Sequence, residues 1–210
     1  MPPTIFRYDI TTGNATTWWK SPAPFPTDAF EVRQFSIRST NGAKVPFFVV
    51  ARKGTQFDGS NKVLMGGYGG FNVSVTPTFS PFIASWLDLG GMYVSTNLRG
   101  GAEFGEAWHK DGMLANKQHT FDDFLNITQW VLMRGYCLRQ GLAINGGSNG
   151  GLLVGAAMTQ RPDLYGAVLC QVPLLDMLRY QKFLVARFWV PEYGSSENAE
   201  QFDWLRSYSP

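Results

Sequence analysis

The 210-residue chain is 44% hydrophobic and 16% charged, with a formal net charge of +2, which suits one domain with a proper core. So small a charge, with Lys and Arg scattered, excludes a surface built to neutralise nucleic-acid phosphates. No apolar run nears the roughly 20 residues that cross a bilayer. The opening Met1-Pro2-Pro3-Thr4 lacks the apolar stretch of a signal peptide. Cys137 and Cys170 lie in apolar surroundings and read as buried free thiols, so a cytoplasmic, reducing compartment is expected.

Phe6 to Lys20 reads as two short strands around a turn at Thr12-Gly13-Asn14, a hairpin pattern. Residues 21–27 hold Pro22, Pro24 and Pro26 and read as a stiff linker. The main domain is expected to follow. Glu31 to Arg38 alternates polar and apolar as a half-exposed strand does, and Asn41-Gly42 turns it into Val45 to Ala51.

From there the pattern becomes strand–helix alternation, the signature of a parallel sheet covered on both faces. The expected strands are Lys62–Met65, Met92–Thr96, Leu142–Ile144 and Ala167–Val172. One helix is expected to start at Thr120 as N-cap, with Asp123 at its third position. Its apolar face is Phe121, Phe124, Leu125, Thr128, Val131 and Leu132. A second helix runs from Asn149 to Gln160 and ends at Arg161-Pro162. No internal repeat or low-complexity segment interrupts the order.

Gly146-Gly147-Ser148-Asn149-Gly150 carries the chemistry. Alone, a G-x-S-x-G pattern is weak. Here it lies between an apolar strand and a small-residue helix, the setting in which a strained turn exposes a nucleophilic hydroxyl. An acyl-transfer serine also needs donors for the developing oxyanion. The Asn149 backbone N–H is one candidate, and Tyr68, in the glycine-rich Gly66 to Phe71 segment after an earlier strand, is the other. The only histidines, His109 and His119, both precede Ser148, whereas α/β-hydrolases run Ser, then Asp or Glu, then His. No cysteine–histidine cluster has metal spacing and no phosphate-binding loop is present, so no cofactor or metal is expected.

The chain resembles the prolyl oligopeptidase family. The likeness rests on GGYGGFN (Gly66 to Asn72), NLRGGAEFGEAWH (Asn97 to His109), LANKQHTFDD (Leu114 to Asp123), INGGSNGGLL (Ile144 to Leu153), QRPDL (Gln160 to Leu164) and WLRSYSP (Trp204 to Pro210). The resemblance implies an incomplete α/β-hydrolase fold over residues 28–210, with the C-terminal strands missing. Residues 1–27 would be the remnant of a β-propeller blade and its linker. It also implies a cytosolic serine peptidase that cleaves short peptides after proline, with Ser148 as nucleophile and Tyr68 and the Asn149 amide as oxyanion donors. Trp189 would stack on the substrate proline ring, and Phe71, Tyr193 and, more loosely, Leu174 would wall that pocket. The residues that match the family's acid and base would lie beyond Pro210.

Two other readings stay open on the residues alone. One is a short esterase-like hydrolase that recruits His109 or His119. The other is a non-catalytic module that binds proline-containing peptides or pairs with a segment supplying the Asp and His. Made alone, the chain is expected to be poorly soluble and nearly inactive. A soluble monomer that cleaves a Gly-Pro reporter at family-like rates would refute that expectation.

Overall fold

The computed structural model describes residues 2–22 and 26–210, so Pro24 of the expected linker lies outside the described residues. Strands β1 (Thr4–Tyr8) and β2 (Ala15–Lys20) form an antiparallel hairpin of their own, as the turn signal predicts. It leaves Phe6, Tyr8, Trp18 and Trp19 exposed.

A second, six-stranded sheet builds the body. It contains β3 (Phe30–Arg38), β4 (Lys44–Arg52), β5 (Val63–Gly66), β6 (Met92–Thr96), β7 (Leu142–Gly147) and β8 (Ala167–Gln171). Their spatial order is β3-β4-β6-β5-β7-β8. The pairs β3–β4 and β4–β6 are antiparallel, while β6, β5, β7 and β8 run parallel. The sheet is therefore mixed, with β8 at one edge. Gly147, three residues past the expected end of β7, still pairs with Gln171, and this carries the ladder to the doorstep of Ser148.

The helices follow the faces that the strands' alternation sets. In β4, Val45, Phe47, Val49 and Ala51 point one way and are buried. On that side lies α3 (Lys117–Met133), whose Trp130 packs 5.0 Å from both Phe35 and Phe47. Beside it, α4 (Asn149–Gln160) buries Leu152, Leu153, Val154, Ala156 and Ala157. Each of the leucine and valine side chains removed from water stabilises the fold by about 1.5–3 kcal/mol, and each alanine by less. On the other face α1 (Pro81–Asp88) contributes Ile83, Ala84 and Leu87, opposite Phe48, Val50 and Tyr93, to a cavity of about 550 Å³. Ser80 caps α1, with Pro81 as its first residue. Shorter α2 (Glu106–Lys110), α5 (Val190–Tyr193) and α6 (Ala199–Tyr208) complete the chain.

Two sequence expectations need correction. The helix expected from Thr120 begins at Lys117. Thr120 does not cap it: its buried hydroxyl donates to the Arg99 carbonyl at 2.8 Å. Tertiary contact, rather than helix-end chemistry, claims that side chain. Cys137 is buried and free as expected, but Cys170, on edge strand β8, is only half-buried.

Asp123 is not a capping carboxylate either. It is fully buried and accepts the Arg99 guanidinium through both oxygens, at 2.6 and 2.9 Å. Arg99, itself fully buried, also bonds Asp111 at 3.0 Å and Thr40 at 2.9 Å. Removing one partner of such a pair strands a buried charge. Arg99→Met should therefore lower unfolding stability by about 3–5 kcal/mol. The double variant Arg99→Met/Asp123→Leu should recover most of the loss. Urea titrations of both variants check this, and a single-variant cost under about 1 kcal/mol would contradict it.

Candidate active site

Ser148 is exposed at the corner between β7 and α4, with φ 57° and ψ −121°. A side chain at positive φ stores strain on the order of 1–3 kcal/mol, so the surroundings must hold it. They do so through the backbone. Ser148 N–H donates to the Gln171 carbonyl at 3.0 Å, and its own carbonyl receives the Gly151 and Leu152 amides of α4.

The flanking glycines are required by space. A Cβ on Gly146 would lie 2.0 Å from the Gly150 carbonyl oxygen, and one on Gly150 would lie 2.8 Å from that of Gly67. On Gly151 it would meet the Gln171 carbonyl oxygen and Pro173, both at 2.8 Å. The turn is thus pressed on one side against the 67–71 loop and on the other against the end of β8.

The structure brings the sequence-nominated side chains together. Tyr68, Phe71, Ser148, Leu174, Trp189 and Tyr193 line one cavity of about 100 Å³. Phe71 meets Tyr193 edge-on at 5.4 Å and Trp189 edge-on at 6.4 Å. Rings arranged this way leave a flat-walled apolar slot. The N–H of Asn149, the first residue of α4, belongs to the orphan amides that have no acceptor within the helix. The positive end of the α4 dipole adds to its pull on an anion.

Asn149 also works through its side chain, which sequence reasoning passed over. Buried, it donates to the Tyr68 carbonyl at 2.6 Å and accepts the Tyr193 hydroxyl at 2.7 Å. One amide thus ties the 67–71 loop, the α4 start and α5 together. Burial pushes the Tyr193 phenol well above its usual range, which keeps it a donor.

A charged cluster beneath the cavity was equally invisible. Lys117, fully buried, donates to the Gly69 carbonyl at 2.6 Å. Buried Glu192 accepts the Phe71 amide at 2.9 Å, faces His109 Nε2 at 2.8 Å, and lies 4.0 Å from Lys117 Nζ. His119 is engaged elsewhere, with Asp111 and Asn41. Neither imidazole lines the cavity that holds Ser148. A lysine and a glutamate look like surface residues in a sequence, and the only local hint is that Glu192 adjoins Tyr193.

Comparisons with known proteins find relatives along the whole chain. A family model described as the prolyl oligopeptidase family matches residues 77–210. A prolyl endopeptidase from Elizabethkingia meningoseptica is 42% identical over all 210 residues, which span 30% of that protein. A solved prolyl endopeptidase structure superposes with TM-score 0.95 at 50% identity, covering 100% of this chain and 31% of that one. A post-proline cleaving enzyme from Rickettsia typhi does so with TM-score 0.94 at 40% identity, covering 100% and 30%. The chain spans about 30% of the length of these relatives.

The buried ammonium has a measurable consequence. Burial lowers the Lys117 pKa from its usual 10.5 to about 8, against the opposing pull of Glu192. Between these values the unfolded chain binds more protons than the folded one, so stability rises with pH in that window. Relative to Lys117→Met, the unaltered chain should gain about 2 kcal/mol of unfolding free energy from about pH 7.5 to about pH 9.5. Urea unfolding of both proteins at the two pH values checks the sign and size.

Proposed function

Because this chain belongs to the prolyl oligopeptidase family, we propose that it carries the nucleophile half of a serine peptidase acting on short peptides after proline. The observation that carries this reading is the single cavity shared by an exposed serine at a strained corner, a tyrosine hydroxyl and a set of aromatic rings. Trp189 stacks on the proline ring of the substrate, with Phe71, Tyr193 and Leu174 as the other walls. Such a ring buries apolar area without demanding a polar partner. Ser148 Oγ then attacks the carbonyl carbon that follows the ring. The oxygen, as it gains charge, accepts from Asn149 N–H and from Tyr68 Oη. Collapse of the tetrahedral species expels the amine and leaves an acyl-enzyme, which water hydrolyses.

A general base must take the Ser148 proton, and both histidines of this chain are committed to other partners. We place the base, and the acid that orients it, on a segment outside these 210 residues. Edge strand β8 gives it a docking line. Gln171 at the end of β8 already holds the Ser148 amide, so a strand added there in parallel would end beside the serine. Ligand sites gather at the carboxyl ends of such strands. On this reading the body is the first part of an α/β-hydrolase fold, and the hairpin β1–β2 is the last piece of a β-propeller that screens substrates by size.

Binding can be tested without turnover. A blocked Gly-Pro amide should bind the chain at least about tenfold more tightly than its Gly-Ala counterpart, and Trp189→Ala should erase that preference. Calorimetric titration decides it; equal affinity for the two peptides would sink the proline pocket. In the same chain joined to a base-bearing segment, Tyr68→Phe should lower acylation of Ser148 by about 100- to 1,000-fold. Fluorophosphonate labelling followed by mass analysis reads that rate.

A further inference from the structure

Glu192 does not line the cavity, yet it sits on α5, the short helix that carries Tyr193 and follows Trp189 directly. Its carboxylate accepts the Phe71 amide. Lys117, from α3, grips the Gly69 carbonyl two residues earlier. The turn begins at the second of these points and is strained, for Phe71 and the residue after it, Asn72, both take positive φ, 57° and 55°. A turn of this kind persists only where its surroundings over-determine it. Hydrogen bonds to ionised groups, about twice as strong as neutral ones, are suited to that task.

Two paths thus join the aromatic rings to the Tyr68 loop. One is Phe71 itself, whose ring touches Trp189 and Tyr193 while its amide ends on Glu192. The other runs through α5. A ring pressed against Phe71 and Trp189 from the cavity bears on both ends of the same bridge, and Tyr68 lies three residues upstream on the loop that the bridge holds. Behind Glu192, His109 offers Nε2, which must carry the proton while the carboxylate is ionised. The Nδ1 of His109 is buried without a hydrogen-bond partner, and Glu106 lies 3.8 Å away.

We propose that Glu192 is a positioning residue that couples filling of the aromatic slot to the placement of the Tyr68 hydroxyl. A substrate bearing a proline ring then organises its own oxyanion donor, while one that leaves the slot empty does not. Selectivity arises in the chemical step as well as in binding. The proposal rests on the acyl-transfer reading of the site given above.

Amide exchange and ring resonances followed by NMR test it on the chain joined to a base-bearing segment, carrying Ser148→Ala throughout to prevent turnover, with a blocked Gly-Pro amide and a blocked Gly-Ala amide. With Glu192 in place the prolyl peptide should slow exchange at Phe71 and shift the Tyr68 ring resonances, and the alanyl peptide should do neither. Glu192→Ala should speed Phe71 exchange by about tenfold or more. It should keep prolyl-peptide affinity within about threefold while Tyr68 stops responding. Glu192→Gln, of the same shape and still able to accept from Phe71, should restore part of both effects, and it serves if the alanine variant fails to fold. A Tyr68 response that persists in Glu192→Ala, or in a Glu192→Gln chain whose Phe71 amide has lost protection, overturns the coupling alone. A collapse of prolyl affinity in Glu192→Gln overturns it too, by making Glu192 part of the pocket. If the chain with Glu192 in place shows no preference for the prolyl peptide, the acyl-transfer reading and the coupling fall together.

Discussion

The backbone of the 67–71 loop meets the backbone of the Ser148 turn directly where the Gly67 carbonyl faces Gly150. Gly150 has room for hydrogen only, because the Gly67 carbonyl occupies the space, and the Asn149 side chain reaches past it to the Tyr68 carbonyl. Gly70 in turn yields its side-chain space to Asn149, whose amide would lie 2.6 Å from a Cβ there. This close approach decides the rest of the site. A serine and a tyrosine from two separate strand ends can share one small cavity only if the loops that carry them touch.

Close approach of two loops exposes backbone polar groups that water cannot reach, and each must find a partner. Here charged side chains supply them. Lys117 takes the Gly69 carbonyl and Glu192 the Phe71 amide. A layer further out, Gly100 backs onto the Gly69 carbonyl and accepts the Asn72 amide. The loop bearing Gly100 is itself fixed by Arg99, forked on Asp123 of α3. The Lys117–Glu192 and Arg99–Asp123 pairs are thus successive supports of one loop. Such pairs add little net stability, since desolvation offsets much of the attraction. Their value lies in specifying where the loop sits.

Much of the fold is written locally. Alternation set β3 and β4, the glycine frame around Ser148 set the β7–α4 corner, and α4 runs from Asn149 to Gln160 as the small-residue pattern and Arg161-Pro162 dictate. The aromatic residues of the cavity were nominated through the family likeness rather than through spacing. Other features escaped for a common reason. Thr120 and Asp123 fit a capping box three residues apart, but Arg99, more than 20 positions away, claims both. Lys117, Glu192 and His109 carry no sequence mark of burial, and Glu192 reaches Phe71 across 121 positions.

By itself the sequence determined where a serine stands at a strained strand-to-helix corner, because the glycines that permit such a backbone lie within five positions. It also determined the faces of the strands, because alternation is a local property. The tertiary structure alone decided which polar residues are buried and what they hold. Where a lysine, a glutamate and an asparagine side chain end up depends on loops brought together from distant parts of the chain, and the backbone groups they satisfy are orphaned only once those loops meet.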